Sequence, residues 1–202
     1  MISWDERYSA EDYFYGTEAN DFLRAHHGKI PAGGDVLCLA EGEGRNAVYL
    51  AEQGFQVVAL DQSTVGLAKA RRLAEARNVR IETVLDNLDR YPIADGRWDG
   101  IVSIWCHVPA PLRRKVHRAV AQGLRPGGAF LLEAYVPEQL RHGTGGPPDA
   151  SLLPRLEDLR EELEGLDLVH ASELERVVHE GKGHHGLSAV VQVLAVRPDK
   201  GK

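Results

Sequence analysis

Two glycines and an acidic residue, at the spacing of a nucleotide-binding unit, have the clearest chemical role in this chain. Gly42 and Gly44 follow an apolar run at 36–40, and Asp61 ends the next apolar run at 55–60. Glycines let the backbone approach a ligand closely, and a carboxylate at a strand end accepts hydrogen bonds from ribose hydroxyls. The pattern therefore predicts a site for a cofactor that contains adenosine.

Three histidines are the candidate proton-transfer groups. His107 follows an apolar run at 101–106, and ligands bind at the carboxyl ends of strands in open α/β sheets. A histidine there can act as a general base, or it can be a loop residue bonded to the backbone. His179 and His185 flank a glycine-rich connection near the C-terminus, and we expect them to face the substrate.

Cysteine and histidine spacing gives no support to a metal site or a disulfide. Cys38 and Cys106 both fall in apolar, strand-like runs, which is typical of buried free thiols. The adjacent pair His184-His185 does not have the spacing of zinc ligands, and no pair of cysteines accompanies it. We therefore predict no metal.

The glycine turn also permits a different cofactor. Gly42-x-Gly44-x-x-Ala47 fits the dinucleotide fingerprint G-x-G-x-x-(G/A), and Asp61 stands at its acidic position. An NAD(P)-linked oxidoreductase is therefore one alternative, and a non-catalytic nucleotide-binding module is another. Against NAD, Arg45 begins the following helix, where a pyrophosphate requires free backbone N–H groups. The C-terminal pattern also predicts a hairpin rather than a second mononucleotide-binding half.

The elements that must position these residues alternate between apolar strands and helices, which predicts a parallel sheet covered on both faces. The predicted strands are 36–40, 56–60, 80–84, 99–105 and 129–135, and the predicted helices between them are 46–53, 64–77 and 110–124. Ser63 is the predicted N-cap of the second helix, and Gly54 the glycine that ends the first.

The C-terminal part has a different pattern. A loop at 142–148 is long enough for a lid, and 154–164 has the leucine spacing of a short amphipathic helix. Strands at 167–180 and 187–197 are joined by 181–186, a connection short enough only for antiparallel neighbours. We predict an α/β fold: a Rossmann-like, doubly wound, mostly parallel sheet that ends in an antiparallel C-terminal hairpin.

We predict one domain for residues 1–202. Residues 1–30 form an N-terminal cap with a helix near 18–27, residues 36–136 a cofactor-binding core, and residues 137–202 the lid loop, helix and terminal hairpin.

Composition limits the possible partners. The 202 residues are 43% hydrophobic and 27% charged, as in an ordinary soluble globular protein. The net charge of −6 argues against nucleic-acid backbones or anionic membranes as main partners. The N-terminus is too acidic and polar for a signal peptide. We expect a cytoplasmic protein with a small-molecule substrate and neither nucleic-acid nor membrane partners.

Several motifs, in order, resemble those of the class I S-adenosylmethionine-dependent methyltransferases. They are VLCLAEGEGRN, VVALDQS, WDGIVSIWCH and LRPGGAFLLEAY. The segments WDERYSAEDYFYGTEANDFL and HEGKGHHGLSAVVQV are similar to the tellurite-resistance methyltransferases, which are related to the thiopurine methyltransferases. The resemblance implies the class I methyltransferase fold, S-adenosylmethionine as cofactor and S-adenosylhomocysteine as product.

The resemblance also implies roles for individual residues. Asp61 binds the ribose, and Gln62 contacts adenine from the same turn. Asn87 aligns with the usual adenine-binding acid and Asp86 is offset by one, so either can accept the hydrogen bond. The other implied cofactor positions are Tyr15, Ala40, Gly42, Gly44, Arg45, Leu88 and Ile104.

For three of these positions, a more detailed role is expected. Ile104 packs the methionine part of the cofactor. Arg45 either meets the cofactor's carboxylate or is a helix-surface arginine. Tyr15 belongs to a cluster with Tyr8, Tyr13 and Phe14, which is either a cap that closes over the cofactor or a packing anchor.

The chain departs from the class at two points. Cys38 stands where the first strand usually has an acidic residue, and Ala40 replaces the first glycine of G-x-G-x-G. The fourth motif also lacks the Asn/Asp-Pro-Pro-aromatic sequence of enzymes that methylate amino groups. We therefore predict methyl transfer to a small-molecule acceptor, with a thiol or a tellurite-type chalcogen as the finer assignment.

Overall fold

The protein is described here by a computed structural model of residues 3–199. A single seven-stranded sheet has the order β3-β2-β1-β4-β5-β7-β6. Strands β1 to β5 are parallel, and β7 is antiparallel to both β5 and β6. The strands are β1 Asp35–Leu39, β2 Gln56–Asp61, β3 Glu82–Leu85, β4 Trp98–Ile104, β5 Leu124–Tyr135, β6 Asp167–Glu180 and β7 His184–Val196.

The helices are α1 Trp4–Arg7, α2 Asp21–His26, α3 Arg45–Glu52, α4 Thr64–Ala76, α5 Ala110–Gly123 and α6 Leu156–Glu162. Ser63 caps α4 as predicted, accepting a hydrogen bond from the Gly66 N–H at 2.9 Å. Gly54 follows α3 with φ +89°, the left-handed conformation expected of a glycine after a helix. None of the helices in residues 3–199 is long and apolar enough to cross a membrane.

The core has two layers, which are formed by apolar side chains on the two faces of the central strands. Val36, Cys38 and Ala59 pack on one face of the sheet, and Leu37, Leu39 and Leu60 on the other. This near-continuous apolar pattern is typical of parallel strands covered by helices on both sides. The predicted fold class is therefore confirmed, including the antiparallel C-terminal hairpin.

Two predicted boundaries differ from the structure in ways that affect the site. β3 covers Glu82–Leu85 rather than 80–84, and β7 begins at His184 rather than at 187. The connection in the hairpin is therefore only 181–183, because Glu180 and His184 are already paired in the ladder. The N-terminal helix is shorter than predicted, Asp21–His26.

The N-terminal segment lies over the carboxyl ends of the strands. The Lys69 ammonium in α4 donates to the Asp12 carbonyl at 2.7 Å, and the Tyr13 hydroxyl donates to the Lys69 carbonyl at 3.1 Å. The Lys182 N–H in the hairpin turn donates to the Phe14 carbonyl at 2.8 Å. We call residues 3–18 the cap; Met1 and Ile2 of the predicted cap lie outside the described residues.

The loop at 142–148 is fastened to the sheet. The Gln139 amide donates to Thr144 Oγ1 at 2.9 Å and to the Gly145 carbonyl at 3.1 Å. The His185 N–H donates to the Thr144 carbonyl at 3.0 Å. A role as a lid stays a prediction, as does the division of the chain into one domain with three parts.

Candidate functional site

The turn after β1 has three left-handed residues. Ala40 has φ +50°, Gly42 +63° and Gly44 +91°. Ala40 thus adopts the conformation that the usual glycine would favour, at the steric cost that a Cβ adds. At Gly44 a Cβ would lie 2.5 Å from the Ala70 Cβ of α4, so the close packing of α3 on α4 requires glycine.

Asp61 at the end of β2 faces this turn. Its Oδ2 accepts a hydrogen bond from the Gly42 N–H at 2.8 Å, and its Oδ1 accepts one from the Ser63 N–H at 2.7 Å. Burial raises the pKa of the Asp61 carboxyl above its ordinary value, against the lowering effect of these bonds. The carboxylate is therefore held in one orientation at the strand end, where parallel α/β sheets bind ligands.

The residues predicted for adenine meet beside Asp61. The Asp86 N–H donates to the Asp61 carbonyl at 3.1 Å, which brings the end of β3 to the end of β2. The Asn87 amide donates to Gln62 Oε1 at 3.3 Å. Leu88 packs against the apolar core. The structure thus brings the predicted ribose and adenine residues together, while their contacts with a cofactor stay predictions.

A buried carboxylate inside the turn was missed by the sequence analysis. Glu41 Oε1 accepts hydrogen bonds from the Asn46 and Ala47 N–H groups, at 2.9 and 2.8 Å, and so satisfies the first turn of α3. Burial raises the pKa of Glu41 to about 7. Burial, with the nearby Glu41, also raises the pKa of the Cys38 thiol beneath it. The acidic group that β1 lacks at Cys38 is thus present in the turn.

Glu43, the middle residue of Gly42-Glu43-Gly44, ties the turn to the cap. Its carboxylate forms a buried ion pair with Lys69 at 2.7 Å and accepts a hydrogen bond from the Tyr15 N–H at 3.3 Å. Variable positions in a glycine motif carry no strong sequence signal, so this pair was not predicted.

The cap covers the site with two tyrosines. Tyr8 is buried, and a Cβ on Gly42 would lie 2.7 Å from its hydroxyl oxygen. The Tyr15 ring lies 6.4 Å from that of Tyr8 and 4.6 Å from that of His184. Close approach of the hairpin to the cap requires Gly183, where any Cβ would overlap the Tyr15 ring.

Arg45 is neither on the helix surface nor unpaired. Its guanidinium is buried, donating to Glu180 Oε2 at 2.6 Å and to the Glu18 carbonyl at 3.1 Å. The helix-surface alternative is therefore wrong. Contact of Arg45 with a cofactor carboxylate stays a prediction.

A second set of polar and aromatic side chains lies at the ends of β4 and β5 and across the terminal hairpin. We call Trp105, Tyr135, Glu180 and His184 the acceptor-side cluster. Trp105, with φ +57°, follows β4 and donates its indole N–H to the Glu180 carboxylate. Its ring centroid lies 4.4 Å from that of Tyr135 and 4.9 Å from that of His184.

The His107 side chain forms a hydrogen bond with the backbone in this structure. Its Nε2 accepts a hydrogen bond from the Tyr135 N–H at 3.0 Å, beyond the last paired residues of β4 and β5. Burial lowers the pKa of His107 to about 3. An imidazole whose acceptor nitrogen is already occupied and that resists protonation is a poor general base. The loop-histidine alternative, bonded to backbone, describes His107.

His179 and His185 face away from the acceptor-side cluster. Both are exposed, and their rings lie 4.7 Å apart, because they are cross-strand partners. Side chains alternate across a strand, so the neighbouring pair, Glu180 and His184, points to the buried face instead. Glu180 and His184, rather than the predicted His179 and His185, therefore lie on the buried face of the hairpin. This alternation was missed in the sequence because residues 184–186 were placed in a loop rather than in β7.

Ile104 belongs to the core, and Cys106, two residues later, is partly buried. Ile104 is buried among apolar side chains near the end of β4. Burial raises the pKa of the Cys106 thiol to about 12, so it is unsuited to nucleophilic chemistry at neutral pH. Within residues 3–199, no three His, Cys, Asp or Glu side chains are grouped to hold a metal ion.

Comparison with known proteins bears on the domain and the fold. Residues 36–128 match the family described as a methyltransferase domain. A ribosomal protein L11 methyltransferase of Symbiobacterium thermophilum is 32% identical over 126 residues, which are 62% of this chain and 40% of that protein. The chain spans less than half the length of the curated relatives it matches.

Two solved structures show the same architecture. TehB of Haemophilus influenzae superposes with a TM-score of 0.71 at 21% identity, covering 96% of this chain and 65% of that one. A SAM-dependent methyltransferase of Methanosarcina mazei has a TM-score of 0.65 at 16% identity, covering 90% of this chain and 100% of that one. The fold is that of the class I methyltransferases. The domain match supports the predicted enzyme class and S-adenosylmethionine as cofactor.

Proposed function

We propose that this protein transfers the methyl group of S-adenosylmethionine to a small-molecule acceptor. The carboxylate of Asp61, fixed beside the left-handed turn by the Gly42 N–H at 2.8 Å, carries the proposal. A buried carboxylate with remaining lone pairs at a strand end suits the two hydroxyls of a ribose. The residues that bind and orient the adenosine part are then Asp61, Gln62, Asp86 and Asn87.

When bound, the cofactor supplies a methyl group on a sulfonium sulfur, which is an excellent leaving group. The protein must then position the acceptor and exclude water. Two tyrosines of the cap serve the second need, since Tyr8 covers Gly42 and Tyr15 covers His184.

The charges near the acceptor-side cluster favour a neutral acceptor over an oxyanion. The Arg45 guanidinium is paired with Glu180 at 2.6 Å, and that of Arg176 with Glu133 at 2.8 Å. Neither cation is available to neutralise a tellurite-type anion without breaking a pair that is largely buried. Of the two finer assignments, a thiol therefore fits better than a chalcogen oxyanion.

The named activities of similar proteins do not decide the acceptor. The relative named for ribosomal protein L11 matches 40% of its own length. TehB is similar at 21% identity, which supports the fold alone. The acceptor must be identified by experiment.

Titration calorimetry with S-adenosylmethionine, S-adenosylhomocysteine and NAD tests the cofactor. We expect both sulfur compounds to bind and NAD not to bind. Asp61→Asn should weaken binding by roughly 10- to 100-fold, because hydrogen bonds to a charged group contribute about 1.5–3 kcal/mol. Asp89→Asn, at an exposed carboxylate paired with Lys115, is the matched control and should bind normally.

Turnover of labelled cofactor with a panel of thiols, phenols and chalcogen oxyanions tests the transfer itself. Binding of NAD without binding of S-adenosylmethionine would refute the proposal in favour of an oxidoreductase. Cofactor binding without transfer to any acceptor class would instead indicate a binding module.

A further inference from the structure

Two buried polar atoms of the acceptor-side cluster have no partner among the described residues. They are the Tyr135 hydroxyl oxygen and His184 Nδ1. Tyr135 is 0% exposed and His184 is 5% exposed. An unpaired buried donor or acceptor destabilises the folded state, so native proteins rarely keep one without a purpose. The Tyr135 hydroxyl indicates a place where a ligand completes a hydrogen bond, whereas His184 Nδ1 lies 3.6 Å from the Glu180 carboxylate.

The side chains around these atoms are aromatic rings packed against one another. The Tyr135 and His184 rings are 5.2 Å apart and nearly perpendicular, and the Trp105 ring stacks on Tyr135. Tyr15 of the cap also packs against His184, with 4.6 Å between ring centroids. Such a surface binds a compound with an apolar, planar body and few polar atoms.

Glu180 is placed to orient His184. His184 Nδ1 lies 3.6 Å from Glu180 Oε2, slightly beyond hydrogen-bond distance, so an Nδ1–H of His184 faces this carboxylate. Nε2 is then the ring nitrogen that can accept a proton. Arg45 and the other hydrogen-bond donors keep Glu180 ionised, holding its pKa well below the ordinary value. Burial lowers the pKa of His184, which leaves a neutral imidazole at neutral pH. The titratable and charged groups that face His184 are Glu180, Arg45, Glu133, Tyr135, Tyr15 and His107.

We propose that His184 Nε2 accepts a proton from the methyl acceptor, that Glu180 orients His184 through Nδ1, and that the Tyr135 hydroxyl binds the same acceptor. The acceptor is then a neutral compound with a weakly acidic hydroxyl or thiol on a planar apolar body. This inference rests on the proposed methyl transfer. It replaces His107, His179 and His185 with a residue that the sequence analysis passed over.

The step balances in atoms and electrons. The acceptor's O–H or S–H proton passes to His184, and the lone pair of the oxygen or sulfur forms the bond to the methyl carbon. The carbon–sulfonium bond breaks, and its electron pair stays on the departing sulfur. The imidazolium, stabilised by Glu180, later releases its proton to water.

His184→Gln and His185→Gln form a matched pair, since the two residues are adjacent and face opposite sides of β7. Single-turnover rates are measured with phenol and phenylmethanethiol, which are protonated at neutral pH and distinguish the hydroxyl from the thiol, and with 4-nitrothiophenol, which is already ionised. We expect His184→Gln to slow transfer to the protonated acceptor about 100-fold or more, as removal of a general base does. Transfer to the ionised acceptor should change little, and His185→Gln should match the wild type with both.

Calorimetry on the same variants separates this inference from the proposed function. S-adenosylmethionine should bind His184→Gln as it binds the wild type, because only the acceptor side has changed. Loss of cofactor binding in the wild type itself would refute the proposed function. Normal cofactor binding with equal rates for His184→Gln and wild type on protonated acceptors would overturn His184 alone.

A measurement without turnover makes the inference testable even if the variant unfolds. In wild type saturated with S-adenosylhomocysteine, phenol is titrated while the imidazole ¹⁵N resonances and Trp105 fluorescence are followed. We expect the His184 resonances to shift, those of His179 and His185 to stay, and Tyr135→Phe to weaken phenol binding severalfold. Phenol binding that leaves the His184 resonances unmoved, or no binding at all, would overturn the proposal.

Discussion

The candidate site has two halves: the turn at 40–44 with Asp61, called the cofactor half, and the acceptor-side cluster with its partners, called the acceptor half. Each half contains a buried carboxylate, and the two carboxylates have opposite electrostatic environments. In the cofactor half, Glu41 accepts hydrogen bonds from the Asn46 and Ala47 N–H groups, and burial raises its pKa to about 7. In the acceptor half, Glu180 has the Arg45 guanidinium at 2.6 Å, and its pKa is lowered. Glu41 is held by backbone N–H groups at a helix start, whereas Glu180 is held by a network of charged and polar side chains.

The two halves also differ in which parts of the sequence form them. The cofactor half is built from neighbouring segments of the chain, the turn at 40–44 and the strand end at Asp61. The acceptor half joins Asn20, Arg45, Trp105 and Glu133 to Glu180, from five separate parts of the sequence. Loss of one charged member should therefore affect the second half more severely than the first.

The largest effect is expected for Arg45→Met, which leaves Glu180 buried without its cation. Removing one partner of a buried ion pair costs about 3–5 kcal/mol, so the free energy of unfolding in urea should fall by that amount. Arg77→Met is the control, because the Arg77–Glu18 pair is 38% and 71% exposed and should contribute less than about 1 kcal/mol. Similar losses in the two variants would remove the distinction between a charged network and ordinary surface pairs.

A pH titration of stability should show the opposite character of Glu41. Its folded-state pKa is raised from 4.5 to about 7, so the folded state binds the proton more tightly than the unfolded state. This contribution is fully present below pH 4.5 and is lost as the pH rises through about 7. Relative to Glu41→Gln, the wild type should lose about 3 kcal/mol over that interval.

Urea unfolding of the wild type and Glu41→Gln at a series of pH values measures this difference. Glu180 has the opposite sign, since its lowered pKa gives stability that is present above pH 4.5 and lost on acidification. A difference between wild type and Glu41→Gln that is independent of pH would contradict the contrast between the two carboxylates.

A smaller effect should distinguish two glycines of the cofactor half. Gly44 and Gly54 flank α3 with similar left-handed φ angles, +91° and +89°. A Cβ on Gly44 would overlap Ala70, whereas a Cβ on Gly54 has no atom within 4 Å. We expect Gly44→Ala to cost about 3 kcal/mol and Gly54→Ala about 1, because only the first adds overlap to backbone strain. Thermal unfolding of both variants measures the two losses of stability. Equal losses would mean that α4 moves to accommodate the Cβ added at Gly44.

The sequence contained much of the fold and little of the acceptor half. The strands and helices, the caps at Ser63 and Gly54 and the position of Asp61 at a strand end follow from patterns within a few residues of each feature. Glu180 and His184 could not be found in this way, because their role depends on where the hairpin turn ends. A turn of 181–183 rather than 181–186 assigns alternate residues to opposite faces, and so exchanges His184 for its neighbour His185.

Charge pairing was the other unpredictable feature. Arg45 begins α3, and nothing near it in sequence indicates Glu180 as its partner. Likewise, the pairing of Glu43 with Lys69 depends on the packing of α3 against α4. Long-range pairs of this kind are specified by tertiary packing, which periodicity does not contain.

One segment, the cap, covers both halves at once, with Tyr8 above Gly42 and Tyr15 against His184. It is anchored between the halves by Lys69 and by the hairpin turn. The methylated compound and the spent cofactor would therefore leave through a single shared exit. We expect one opening rate to govern both departures, so that acceptors of very different reactivity would reach the same ceiling of turnover in the steady state.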